Sequence, residues 1–108
     1  MFARTVSIHL KPNSSVAFTK LIQSETIPML RKHTGFQGEF TLVAPGGAEA
    51  VGISLWDQKE NAEAYAKDGY QDIMKNLNKF VEGTPKVQTY EVVNSTFSHV
   101  AVAATVAA

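Results

Sequence analysis

Few side chains in this 108-residue chain could do chemistry. Trp56 is its one tryptophan. An indole there could wall a pocket and aim its N–H at a substrate oxygen, or simply pack where a strand meets a helix. Tyr65 follows on the next helix and could orient a ligand through its hydroxyl. Aromatic residues at helical spacing also build cores, which is how Tyr70 reads. His9 carries an imidazole that could act as a general base toward a phenol or enol. Its plain alternative is a strand end or a seam between two copies of the chain. Glu25 falls on a stripe otherwise made of Phe18, Leu21, Ile22 and Met29. Enclosed there, its carboxyl would hold its proton more tightly and could serve as acid or base. A kink at Pro28 would instead turn it to water. Trp56, Tyr65, His9 and Glu25 are therefore the pocket candidates, and no residue is assigned as catalytic.

Other chemistries lack their residues. The sequence has no cysteine, which removes disulfide frameworks and thiolate metal sites. His9, His33 and His99 show no ligand spacing, so no metal is expected. No glycine-rich nucleotide loop and no G-x-S-x-G elbow occurs, and Gly46-Gly47 reads as a turn. No cofactor is expected, so any oxygen chemistry would use the substrate's own electrons. Ten basic and ten acidic residues cancel, and nucleic acid is not an expected partner. No run of about 18 apolar residues is present, so no membrane span is expected. The N-terminal residues do not read as a signal peptide, and the cytoplasm is the expected compartment.

The elements that must position these residues follow from hydrophobic period. Phe2 to Leu10 alternates and reads as a strand, with Val6, Ile8 and Leu10 on its buried face. Ser15 to His33 reads as a helix kinked at Pro28. Phe36–Val43 and Ala50–Trp56 read as a hairpin around Ala44–Gly47. Asp57 and Glu60 have capping-box spacing and open a helix that Gly69 interrupts. A second stripe, Tyr70, Ile73, Met74, Leu77, Phe80 and Val81, ends at Gly83 and Pro85. Lys86 to Phe97 reads as the last strand. The order β-α-β-β-α-β predicts an α+β, ferredoxin-like fold, an antiparallel sheet with helices on one face. The other face, read as carrying Ala3, Thr5 and Ser7 or Ala50, Gly52 and Ser54, would be bare. A homodimer through that sheet face is the expected cover. Residues 1–98 form the expected domain. The apolar tail 99–108 is expected to extend the last strand or contact the partner.

Four patches, Ile27–Phe36, Ser54–Tyr65, Phe80–Val87 and Thr89–Ser95, resemble the antibiotic biosynthesis monooxygenase family. With the first strand they cover most of residues 2–98. The resemblance implies a dimeric α+β barrel. It also implies cofactor-free oxygenation of an aromatic substrate, with Trp56 and Tyr65 in the positions of that family's pocket aromatics. The family's haem-degrading members carry an asparagine in the first strand and a histidine after the third. Phe2–Leu10 has no asparagine, and no histidine lies between His33 and His99, so haem degradation is not implied. The expected function is cofactor-independent monooxygenation of a small aromatic or quinol-like metabolite. The alternatives are a non-catalytic binder of a small hydrophobic molecule and a structural dimer of the same fold.

Overall fold

The computed structural model describes residues 1–97; the tail 99–108, assigned above to strand extension or dimer contact, lies outside the described residues. Strands β1 (Phe2–Leu10), β2 (Phe36–Val43), β3 (Glu49–Trp56) and β4 (Val81–Glu91) form one antiparallel sheet in the order β2-β3-β1-β4. Helices α1 (Ser15–Leu21), α2 (Ile27–Leu30), α3 (Lys59–Asp68) and α4 (Tyr70–Leu77) complete the α+β, ferredoxin-like order predicted from hydrophobic period. The core joins Ile8, Leu10, Ala50 and Trp56 of the sheet to Phe18, Leu30, Tyr65, Ile73 and Leu77 of the helices. Among the described residues no helix is long and apolar enough to cross a membrane.

Two local slips in register decide which side chains face the helices. The first joins α1 to α2. Ile22–Thr26 form a π-helical turn, in which the N–H of Ile27 reaches the carbonyl of Ile22. Such a turn holds one extra residue, so every later side chain rotates by one position. The inward series is therefore Phe18, Ile22, Thr26 and Leu30, and Glu25 is exposed. Pro28 follows in the first turn of α2, where its missing N–H costs least.

The second slip is a bulge in β2. Phe36 and Gly38 pair with the adjacent residues Trp56 and Leu55, leaving Gln37 as the extra residue. Beyond it the odd-numbered residues Glu39 and Thr41 face the helices, while Phe40 and Leu42 point to the open side. In β3, Ala50, Gly52, Ser54 and Trp56 lie under the helices, and Val51, Ile53 and Leu55 alternate to the open face. The expectation that the small residues of β3 line the bare face is thus corrected. They leave room beneath the helices instead.

Other boundaries shift. β4 starts at Val81 and ends at Glu91, not Lys86 to Phe97. Gly83 and Pro85 fall in a register shift opposite β1, on the sheet's edge strand, where a missing N–H breaks no ladder. The Asp57–Glu60 capping box does not form. Gln58 precedes α3, and the Asp57 carboxylate accepts a hydrogen bond from the Asn61 amide at 2.8 Å.

Candidate functional site

A cavity of about 60 Å³ lies between the sheet and the helices. Its walls are largely apolar: Val6 and Ile8 from β1, Phe18 and Leu30 from the first helical segment, and Ile73, Met74 and Leu77 from α4. Gly52 forms part of the floor, and a side-chain carbon added there would meet nothing within 4 Å. Small residues in β3 are thus what opens the space.

Into this apolar box the fold brings a few polar groups. Arg4 belongs to the inward-facing series of β1 and is only 5% exposed. Its guanidinium lies over the ring of Tyr70 at 4.3 Å and near that of Tyr65 at 5.6 Å. A cation over an aromatic face is held by the ring quadrupole, and that hold strengthens where water is excluded. Yet Arg4 Nη1 is buried without any hydrogen-bond partner. An unmet donor of this kind is costly in a folded protein and calls for an explanation.

Glu39 and Thr41 enter from β2, and the Thr41 hydroxyl donates to Glu39 Oε1. Burial raises the Glu39 pKa above the usual carboxylate value, against the opposing pull of that hydrogen bond. Burial pushes the Tyr65 hydroxyl up to about 12, with Arg4 acting in the opposite direction. Tyr70 is raised for the same reason. Both phenols therefore stay protonated at neutral pH and can donate. The site thus holds one fixed cation, one carboxyl with enhanced proton affinity and neutral hydroxyls.

The four candidates from sequence fare differently. Tyr65 lines the cavity and is buried. Trp56 does not line it. It is fully buried behind Tyr65, stacked at 4.9 Å, with Phe36 and His33 edge-on around it. Its N–H donates to Ser54 Oγ at 2.9 Å, so the indole has no donor left to aim at a substrate. Glu25 is corrected by the π-turn, which gives its inward position to Thr26. His9 is corrected by strand parity. It stands on the open face, exposed, with Nδ1 3.6 Å from Glu49 Oε1. His33 packs edge-on against Tyr65 at 5.2 Å.

Arg4 and Glu39 are lining residues absent from the sequence candidates, and Tyr70 lines the cavity as well as packing in the core. Arg4 carried a usable signal, because the alternation of β1 sets it on the face of Val6, Ile8 and Leu10. Tyr70 was read as core. Glu39 carried no such signal, because its orientation depends on the bulge. Among the described residues no group of His, Asp and Glu side chains is placed to hold a metal ion.

No family model matches this sequence, and no curated protein matches it at the sequence level. Solved structures do match. A monooxygenase from the gene ActVA-Orf6 of Streptomyces coelicolor, solved with nanaomycin D, superposes with a TM-score of 0.74 at 15% identity, covering 89% of this chain and 90% of that one. SnoaB, a cofactor-independent oxygenase from Streptomyces nogalater, gives 0.70 at 13% identity, covering 88% and 95%. A candidate antibiotic biosynthesis monooxygenase from Bordetella bronchiseptica gives 0.73 at 14% identity, covering 86% and 97%. Identities this low establish architecture, and the architecture of this chain is the ferredoxin-like α+β fold of the antibiotic biosynthesis monooxygenase structures.

Proposed function

We propose that the protein is a cofactor-independent monooxygenase that takes a small aromatic or quinol-like molecule into the cavity between sheet and helices. The observation that carries this is the unpartnered Arg4 guanidinium in an otherwise apolar box. A phenolate or enolate oxygen at Nη1 would supply the missing acceptor and would be stabilised as the anion, since charge–charge attraction grows as water is excluded. The anion is the electron-rich form that can reduce dioxygen. In the overall reaction one oxygen atom enters the substrate as a carbonyl. The other leaves as water with two protons, and the substrate supplies all four electrons. Glu39, with its raised proton affinity, is the group suited to accept a substrate proton and return it.

The fold matches of named oxygenases support this reading. So does the exposed open face of the sheet, where Phe40 and Leu42 are 45% and 52% exposed. Apolar residues of that size on a free surface favour a second copy of the chain as cover. The test is oxygen consumption with a panel of dihydroxyaromatics, comparing the native chain with Arg4→Met. Uptake that falls at least tenfold in the variant is expected. No uptake by the native chain above the buffer's own autoxidation refutes the oxygenase reading. Saturable binding without uptake would assign the cavity to the non-catalytic binder instead.

A further inference from the structure

The polar groups of the cavity fall in a single row across the sheet. Arg4 of β1 is in register with Ser54 of β3, and Ser54 with Glu39 of β2. Two interstrand spacings of about 4.8 Å set the backbones of Arg4 and Glu39 roughly 10 Å apart. The two charged groups make no ion pair with each other, and neither joins any of the ion pairs among the described residues. Ser54 between them is short, and its hydroxyl is taken by the Trp56 N–H on one side and the Arg4 carbonyl on the other. The next row, Thr41, Gly52 and Val6, has glycine at its centre, with open space where a side chain would start. The result is an apolar slot with a cation at one end and a carboxyl at the other.

The slot is also small. An apolar cavity of about 150 Å³ accommodates one benzene ring, and this one is about 60 Å³. A single ring already requires long side chains such as Met74 and Arg4 to yield, and each fused ring would require much more.

Resting on the reading of this cavity as a binding site for an aromatic molecule, we propose that the ligand is a monocyclic hydroxyaromatic carboxylate. Its carboxylate, in place of the reacting phenolate oxygen, takes the free Nη1 of Arg4, and a hydroxyl on another ring carbon donates to Glu39, the group that draws off its proton. One oxygen cannot touch both groups, so two oxygen-bearing groups on separate carbons of one ring are needed. Arg4 and Glu39 then act as determinants of specificity as well as affinity.

The experiment is anaerobic calorimetric titration, which reads binding without turnover. The probes are 2,5-dihydroxybenzoate, benzoate, hydroquinone and 3,5-dihydroxy-2-naphthoate. A hydrogen bond to a charged partner is worth about tenfold or more in affinity. Binding of 2,5-dihydroxybenzoate at least tenfold tighter than hydroquinone is expected. Arg4→Met should erase that difference. Glu39→Gln should weaken the dihydroxy acid while leaving benzoate unchanged. Gly52→Val touches neither charged group, fills the slot and should abolish binding of all four probes in a chain whose circular dichroism is native. The naphthoate should bind more weakly than the benzoate analogue.

Equal affinity for hydroquinone and the acid, or tighter binding of the naphthoate, overturns the inference. So does a failure of all four probes to bind. These outcomes separate from the oxygenase reading. Oxygen uptake on neutral quinols with no preference for the acid would sink this inference and leave the oxygenase standing. Tight binding of the acid without uptake would do the reverse.

Discussion

Arg4→Met should make the free protein more stable while removing its ligand. In the free protein Arg4 is 5% exposed and its buried Nη1 has no partner. An unmet buried donor costs about 1–3 kcal/mol, with more for a charged group. Against that stands the contact with the Tyr70 ring at 4.3 Å, an interaction worth about 0.5–2 kcal/mol. Methionine keeps most of the stem, packs against both tyrosine rings and has no donor to satisfy. Subtracting the two central values leaves about 1 kcal/mol in favour of Met. For a domain of this size that corresponds to a rise in Tm of about 4–8 °C. The assay is thermal unfolding at pH 7 by calorimetry. Protein concentration must be matched, because self-association makes Tm depend on it. In the same samples, 2,5-dihydroxybenzoate should raise the native Tm and leave that of the variant unchanged. Loss of about 3–5 kcal/mol, the usual effect of breaking a buried ion pair, would refute the reasoning. Arg4 would then be a structural cation with a partner that the free-site argument denies.

Glu39→Gln tests the same slot from its other end. The Glu39 pKa is raised in the fold by burial, so the folded protein binds this proton more tightly than the unfolded chain does. Its contribution is therefore fully present below the unfolded value and is lost as pH rises through the folded one. Glu39→Gln should be more stable than the native chain at pH 7, and the gap should close below about pH 4.5, the ordinary range of a Glu carboxyl. A gap independent of pH in paired denaturant titrations would contradict this. Gly52→Ala should gain about 0.4–1 kcal/mol from the lower entropy of its unfolded chain, since its Cβ meets nothing within 4 Å. Destabilisation in urea melts would show that the floor of the cavity is tighter than described. Phe40→Asp on the open face, where Phe40 is 45% exposed, should halve the mass seen by light scattering. An unchanged mass about twice the 11.7 kDa of the chain would place the contact between copies elsewhere.

Much of the fold was legible because most of the chain keeps a simple period. Phe2 to Leu10 alternates without interruption, and β1 lies where alternation places it. The stripe from Tyr70 to Leu77 packs inward as its offsets require. The inward face of β3 was harder. Ala50, Gly52 and Ser54 look like a poor core, and periodicity cannot distinguish a bare face from the floor of a cavity. Trp56 stands out as the one tryptophan, but its N–H is taken by Ser54, a bond between side chains two residues apart on the same face that no hydrophobic period reveals. Arg4 is legible in the alternation of β1. A charge in the company of Val6, Ile8 and Leu10 raises the same question that Glu25 raised among Phe18, Ile22 and Met29.

The two carboxyl groups show where that reasoning needs a further step. A regular helical period carries Glu25 inward, and regular strand alternation carries Glu39 outward. Each assignment is reversed by one inserted residue, the π-turn at Ile22–Thr26 and the bulge at Gln37. Both insertions interrupt a ladder of backbone hydrogen bonds, so each weakens its element locally. Both also act on the same cavity. The π-turn removes a carboxylate from the apolar wall and sets the small Thr26 there, while the bulge places a carboxyl opposite Arg4. Two independent distortions that converge on one small space are poorly explained by stability alone, because a regular helix and a regular strand would hold the fold better. They fit a site that needs one carboxyl, in one place, facing one cation. Deleting Gln37 would only remove the extra residue and leave Glu39 opposite Ser54, under the helices. Pairing Glu39→Gln with Phe40→Glu instead moves the carboxyl to the open face without touching the bulge. Such a chain should keep its sheet by circular dichroism and its preference for the acid over hydroquinone, which Arg4 confers, but bind 2,5-dihydroxybenzoate no better than benzoate. A retained advantage of the dihydroxy acid over benzoate would mean that Glu39 is a bystander.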